Sequence, residues 1–304
     1  MIAFIDEHRD RFGVEPICKE LPIAPATYYA AKTRQLSARA VRDQELVRVI
    51  GREHRDNYGV YGARKMHAHL NRQGVTVARC TVERLMRKAG LRGITRTKGP
   101  RTTISAPGAH PGDLVQRRFE AAAPNCLWVA DITYVRTLSG WAYAAFVIDV
   151  FSRRVVGWQI ASHLRTELAL DALETGLWSQ TRAGRDLTAL VHHSDRAVQY
   201  RAIRYTERLA QSGAVASVGS RGDSYDNALA EGFNSLFKAE LIRNKGPWHT
   251  ISDLEIAVAE YVDWFNHRRL HSELGMIPPA EAEQRYYASH TTPASHQKRV
   301  LTSL

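Results

Sequence analysis

Two hydrophobic rhythms divide the chain. Up to residue 92 apolar side chains recur at helical spacing, and from residue 127 they alternate or run together as in strands. Residues 2–11 place Ile2, Ile5 and His8 on one side of a predicted helix. Ile17, Cys18 and Leu21 mark a second, broken by Pro22, and Pro25 opens a third that carries Tyr28 and Tyr29. Short helices around a tight turn are compatible with a helix-turn-helix or with a generic helical hairpin. Residues 40–54 predict a longer helix with Val41, Leu46, Val49 and Ile50 on its apolar side. NYGVYGARKMHAHLNRQG then gives a glycine-rich entry and a helix through Met66 and Leu70, closed by Gly74. In VTVARCTVERLMRKAGLRG, Val82, Leu85, Met86 and Ala89 recur as an inward face, and Gly90 stops the helix. Residues 93–125, rich in Gly, Pro, Thr and basic side chains, carry no periodicity and read as a linker.

Beyond the linker, LWVADITYV predicts a buried strand in which Val129, Asp131 and Thr133 share a face. WAYAAFVIDVFSRRVVGWQI reads as two more strands turning near Ser152–Arg154, with Asp149 at a strand end. A helix from Thr166 to about Gln180, a strand LTALVHHSD ending at Asp195, a helix over 201–212 and a strand AVASVGS follow. Strands alternating with helices after an initial meander imply an α/β layered domain. The loop SRGDSYDN leads into a long helix, Asn227 to Ile242, with Leu229, Phe233, Leu236, Phe237 and Leu241 as its buried stripe. Glu231 lies beside that stripe, and Lys238, two turns on, shares its face.

Charge sharpens the picture. The 304 residues carry a net +11, and residues 51–118 alone hold 15 Lys and Arg against 4 Asp and Glu. The whole excess therefore sits on this one segment, the last helices before the linker and much of the linker itself, which reads as a polyanion-binding module. Its helix over 79–88 leaves Arg79, Arg84, Arg87 and Lys88 outward, so it can enter a major groove and grip phosphate or guanine. There is no apolar run long enough to span a membrane and no signal pattern at MIAFIDEHRD. Three dispersed cysteines exclude a disulfide framework, so a cytoplasmic location is expected.

Asp131 is the first chemical candidate, because a lone acid in an apolar strand is costly unless it is paired or binds metal. Asp149 reads as a structural acid. His67 and His69 do not share a helical face, and His192 and His193 point to opposite sides of their strand, so zinc is disfavoured.

The segments WVADITY (128–134), DVFSR (149–153), HHSDR (192–196) and YDNALAE (225–231) strongly resemble the integrase cores of insertion-sequence transposases. Asp195 and Glu231 stand 36 positions apart, the spacing of the D-D-35-E signature. YVDWFNHRRLHSELGMIPPAEAE (261–283) is similar to the family's C-terminal ending, and YGVYGARKMHAHLN with the helix after it resembles its helix-turn-helix. The resemblance covers nearly the whole chain and points to the second-reading-frame protein of the insertion-sequence-three family, within the retroviral-integrase superfamily.

It implies an α/β ribonuclease-H-like core with a mixed five-stranded sheet, preceded by small helical units. The expected division is 1–36, a helix-turn-helix-like segment; 37–92, a basic helix-turn-helix domain; 93–122, a linker; 123–245, the catalytic core; and 246–304, a helical extension and tail. It also implies that Asp131, Asp195 and Glu231 are catalytic and hold two magnesium ions, replaceable by manganese. Lys238 would position terminal DNA phosphates. The expected partners are double-stranded DNA (the element's terminal inverted repeats and the target), further copies of the chain on DNA, and an upstream first-reading-frame protein, free or fused by frameshifting. Because the chain begins at Met1 without heptads, it is expected to be the catalytic half alone, nucleoid-associated in a bacterium. Two alternatives stay open: a ribonuclease-H-like nuclease without strand transfer, and a catalytically impaired DNA-binding regulator. Ala197 departs from the glycine usual after S-D-R; were that position at positive φ, alanine would be strained by about 1 kcal/mol. Trp264, Asn266, Arg268, Arg269 and His271 are expected at a helix end on the core, with a DNA contact open to Arg268 or Arg269.

Overall fold

A computed structural model describes residues 1–95, 121–195, 197–218 and 228–290. The greater part of the linker, the loop SRGDSYDN, Arg196 and the tail after His290 lie outside the described residues. The chain divides into two compact units, Met1–Arg52 and the remainder from Glu53.

The first unit holds α1 (Ile2–Phe12), α2 (Val14–Glu20) and α3 (Pro25–Thr33), with Pro25 in the first turn of α3 as its fixed φ allows. Ile5, Ile17, Cys18 and Tyr28 form its small core. The Tyr28 hydroxyl donates to Asp6 Oδ1 at 2.8 Å, and Lys32 Nζ lies 2.8 Å from the same oxygen. The long helix α4 (Ala38–Asp56) runs across the division.

The second unit opens with α5 (Ala63–Arg72) and α6 (Arg79–Lys88). Met66 and Leu70 of α5 and Val82, Leu85 and Met86 of α6 are buried, while Ala89 is exposed as the C-cap of α6 rather than part of its inward face. Gly74, at φ 81°, turns the chain between the helices, a conformation that suits glycine.

Five strands among the described residues form one sheet in the order β3-β2-β1-β4-β5. They are β1 (Leu127–Thr137), β2 (Gly140–Asp149), β3 (Val155–Ala161), β4 (Val191–Ser194) and β5 (Val215–Val218). The β1–β2 and β2–β3 pairs are antiparallel hairpins; β1–β4 and β4–β5 are parallel and joined through helices. This is the mixed five-stranded sheet expected. One face, with Trp128, Ala130, Ala145 and Val147, packs against α7 (Thr166–Arg182) and, beyond the short α8 (Val198–Arg201), α9 (Ile203–Gln211). The opposite face carries Val129, Asp131 and Phe146 and receives α10 (Ala228–Phe237). Phe233 and Phe237 meet the Phe146 ring edge-on at 4.9 and 5.0 Å.

The helix expected to run unbroken to Ile242 instead widens at Lys238–Ile242 into a π-helical segment before the short α11 (Arg243–Lys245). Its buried side is Ala230, Phe233, Asn234 and Phe237, then Ala239, Glu240 and Leu241. Leu229 and Leu236, expected in the stripe, are only half-buried and line a cleft. Helix α12 (Ile251–His267) begins with a capping box between Thr250 and Asp253, and α13 (Pro279–His290) closes the unit. The Asn266 side chain bonds both the N–H and the C=O of Val155, each at 2.9 Å, and so satisfies the outer edge of β3.

Gly157 sets how closely α7 approaches β3. A Cβ there would lie 2.0 Å from the Ala172 carbonyl oxygen and 2.8 Å from the Gly176 nitrogen, both backbone atoms that cannot swing aside. Gly157→Ala should destabilise the protein by about 3 kcal/mol, at the upper end of overpacking effects. Thermal unfolding would show this as a fall of roughly 10 °C, and a shift under 2 °C would contradict the packing.

Candidate active site

Asp131 lies in the interior of β1, between β2 on one side and β4 on the other. In the parallel register Ala130 faces Ser194, so Asp131 and Asp195, each one residue further, leave adjacent strands at the same level. Adjacent strands are about 4.8 Å apart. Asp131 Oδ1 accepts from the Ile132 N–H at 2.8 Å and Oδ2 from Asn234 Nδ2 at 2.9 Å. Burial, then the charge of Asp195 and more weakly that of Glu231, push the Asp131 carboxyl up to about 7 against these hydrogen bonds. Asp195 Oδ1 accepts from the Ala197 N–H at 3.0 Å, and burial raises its carboxyl too.

Glu231, in the first turn of α10, is exposed and near enough for its charge to act on Asp131. Glu231 and Asn234 are three residues apart and so project from one side of the helix, toward Asp131. The three acids thus come from a strand interior, a strand end and a helix start to one end of the sheet. Among the described residues, however, no three His, Cys, Asp or Glu side chains are grouped closely enough to hold a metal ion.

Asn234 has no forewarning in the hydrophobic pattern, where it passes for a surface residue; its spacing from Glu231 is the one available signal. Its Oδ1 is buried without a partner, an acceptor left open beside Asp131. The Tyr200 hydroxyl is likewise buried and unpartnered, and burial with the nearby Tyr205, Asp131 and Asp195 keeps it a neutral phenol.

The other polar residues of this region are structural. Asp149 accepts from the Asn125 N–H and from both the N–H and hydroxyl of Ser152, as a turn-fixing acid does. His192 bonds the Tyr205 hydroxyl, and burial lowers it to about 3, so it stays neutral; His193 pairs with Ser217. Ala197 has φ −60° and ψ 145°, extended backbone open to any residue, so the strain anticipated there does not exist. Arg269 is buried against Glu240, which rules out the DNA contact left open for it.

Lys238 Nζ stands 4.6 Å from the centre of the Tyr134 ring, a cation–π contact at the edge of β1. On α6, Arg87 and Lys88 are exposed, Arg79 pairs across one turn with Glu83 at 3.4 Å, and Arg84 is half-buried. A separate cleft of about 800 Å³ lies against α10, lined by Arg64, Lys65, Arg153, Leu229 and Leu236; none of the three acids lines it.

The carboxyl shift has a measurable sign. Asp131 is held protonated above its ordinary 3.8, so its contribution to stability is complete below that value and is lost as pH rises through about 7. Asp149 and Asp195 shift in the same direction. Metal-free protein should therefore lose thermal stability between pH 4 and pH 8, and Asp131→Asn should flatten part of that slope. Identical slopes in the two proteins would contradict the burial of this carboxyl.

Family profiles for an HTH-like domain match residues 41–99, and those for an integrase core domain match residues 121–224 and 212–279. The protein assigned to insertion sequence element IS986/IS6110 in Mycobacterium tuberculosis (strain ATCC 25177 / H37Ra) is 55% identical, across 90% of this chain and 100% of its own length. The transposase for insertion sequence element IS629 of Shigella sonnei is 48% identical over 95% of this chain and 97% of that protein. Transposase InsF for insertion sequence IS3A of Escherichia coli (strain K12) is 31% identical over 94% and 99%.

Proposed function

The chain belongs to the insertion-sequence-three family of transposases, and from that premise we propose that Asp131, Asp195 and Glu231 are its catalytic carboxylates. They would hold two magnesium ions, or manganese in their place, while cutting and joining the element's terminal inverted repeats. One observation carries the reading: Asp131, inside the sheet, leaves its strand level with Asp195, and burial, the charge of Asp195 and more weakly that of Glu231 raise its carboxyl to about 7. Carboxylates that repel one another are the donor set hard cations prefer, and Asn234 Oδ1 adds an open oxygen. When bound, a pair of divalent ions supplies an activated oxygen nucleophile and charge compensation for the leaving oxygen.

The chain's own residues do the rest. The Ile132 N–H and Asn234 hold both oxygens of Asp131 in one orientation, and the Ala197 N–H fixes Asp195. Glu231, exposed on the first turn of α10, lies near enough for its charge to act on Asp131. The reaction is two phosphodiester substitutions. Water attacks phosphorus, the bond to the 3′ oxygen breaks, and that oxygen leaves as a 3′-hydroxyl. The hydroxyl then attacks a target phosphodiester and displaces its 3′ oxygen in turn. Arg79, Arg84, Arg87 and Lys88 of α6 contact the repeat DNA, and Lys238 contacts phosphates near the cut. Several copies assemble on the two ends, with a first-reading-frame protein as partner or fusion. Among the described residues no helix is long and apolar enough to cross a membrane.

The test uses labelled duplex ends, the purified chain, and magnesium or manganese. Nicked 3′ ends and joined products are expected, abolished by chelation. Cleavage without joining would favour the nuclease alternative. No product with either metal, even after adding the first-reading-frame partner, would defeat the enzymatic reading.

A further inference from the structure

The C-terminal ending contributes a buried charge cluster that the chemistry above does not use. Arg269 and Glu240 are each 3% exposed. Arg269 donates from Nε to Glu240 Oε2 at 2.8 Å and from Nη2 to Oε1 at 2.5 Å, and the Tyr261 hydroxyl donates to Oε2 at 3.0 Å. Glu240 belongs to the π-helical continuation of α10, nine residues after Glu231.

The backbone on either side of Arg269 is gripped by a different element. Tyr61, two residues before α5, accepts from the Leu270 N–H at 2.8 Å and donates to the Arg268 carbonyl at 3.1 Å. Close by, Trp264 Nε1 donates to Asn57 Oδ1 at 3.1 Å, and Asn244 Nδ2 donates to the carbonyls of Tyr58 and Glu240 at 2.7 and 3.1 Å. The helix that bears Glu231 and the first helix of the helix-turn-helix-like pair are therefore tied to the same three residues, 268–270.

We infer that Glu240, Arg269 and Tyr61 are positioning residues, which set where Glu231 stands relative to the DNA-reading helices. The inference rests on the proposed catalytic role of Glu231. Its physical basis is that a buried ion pair adds little net stability over an apolar pair of similar volume, but accepts only a narrow range of geometries. Residues on one continuous helix move together, so displacing Glu240 displaces Glu231. Carboxylates that must meet reacting atoms tolerate little displacement: a shift of about 1 Å can cost about 100-fold in rate.

The experiment compares full-length wild type, the apolar double variant E240L/R269M and Tyr61→Phe. Three quantities are read: thermal midpoint, affinity for a labelled element end, and single-turnover nicking rate with magnesium. The double variant should keep its midpoint within a few degrees and its end affinity within about twofold, while nicking about 100-fold more slowly. Tyr61→Phe should bind as wild type and nick about 10-fold more slowly. A cluster that only stabilised the fold would leave nicking unchanged wherever the midpoint is unchanged. Wild-type nicking by E240L/R269M overturns the inference, and so does wild-type nicking by Tyr61→Phe, which decides alone should the double variant fail to fold. Loss of positioning alone is recognised because wild type still nicks and Asp131→Asn does not; a wild type that never nicks removes the catalytic reading and this inference together.

Discussion

Asp131→Asn should leave a protein that binds its element ends as wild type does but nicks and joins them at least about 1,000-fold more slowly. Asparagine is nearly isosteric with aspartate, and the Ile132 N–H can still donate to its amide oxygen. What disappears is charge. Asp131 is flanked by Asp195 on the neighbouring strand and Glu231 on α10, so it sits where any shared cation would be most strongly held. The neutral amide also relieves the repulsion that raises the carboxyl to about 7, so the variant should unfold at a higher temperature than metal-free wild type at pH 8. More stable, equally good at binding and catalytically dead is a combination that damage to the fold cannot produce. Nicking within 10-fold of wild type would remove Asp131 from the chemistry. Unchanged biological activity without nicking by either protein would instead favour the regulator reading.

The strands were legible because each rests on a local signal, and Asp195 and Glu231 because they stand in segments that resemble a known family. Alternation marks β1, and an aspartate inside so apolar a strand stands out by its desolvation cost. What escaped depends on distance along the chain. Asn234 looks like a solvated helix residue until Asp131, 103 positions earlier, is found beside it. Arg269 is expected at a helix end on the core, but its pairing with Glu240 is not foreseen, because nothing local announces a partner 29 residues away. Leu229 and Leu236 fit an ideal helical stripe, but that side of α10 faces a cleft. The anticipated strain at Ala197 assumed a backbone angle that spacing cannot supply, and the chain takes an extended one there. Nor does any pattern foretell that Tyr61 would bond the backbone at Arg268 and Leu270.

Removing one member of the Glu240–Arg269 pair should be far worse than removing both. Arg269→Met leaves the Glu240 carboxylate buried with, among the described residues, the Tyr261 hydroxyl as its remaining side-chain donor. It also takes away the guanidinium packed over the Phe265 and Trp264 rings, at 5.3 and 5.9 Å from their centres. Burial alone would oppose charge on Arg269, yet Glu240 outweighs it and holds the guanidinium above its ordinary value, so the two charges stabilise each other. A stranded buried charge costs about 3–5 kcal/mol, which predicts a fall in thermal midpoint on the order of 10 °C. E240L/R269M should recover most of the midpoint at neutral pH, since no unpaired charge remains. If Arg269→Met unfolds within 2 °C of wild type, or if the double variant is as unstable as the single one, the pair is not the buried, mutually dependent unit that ties residues 268–270 to α10.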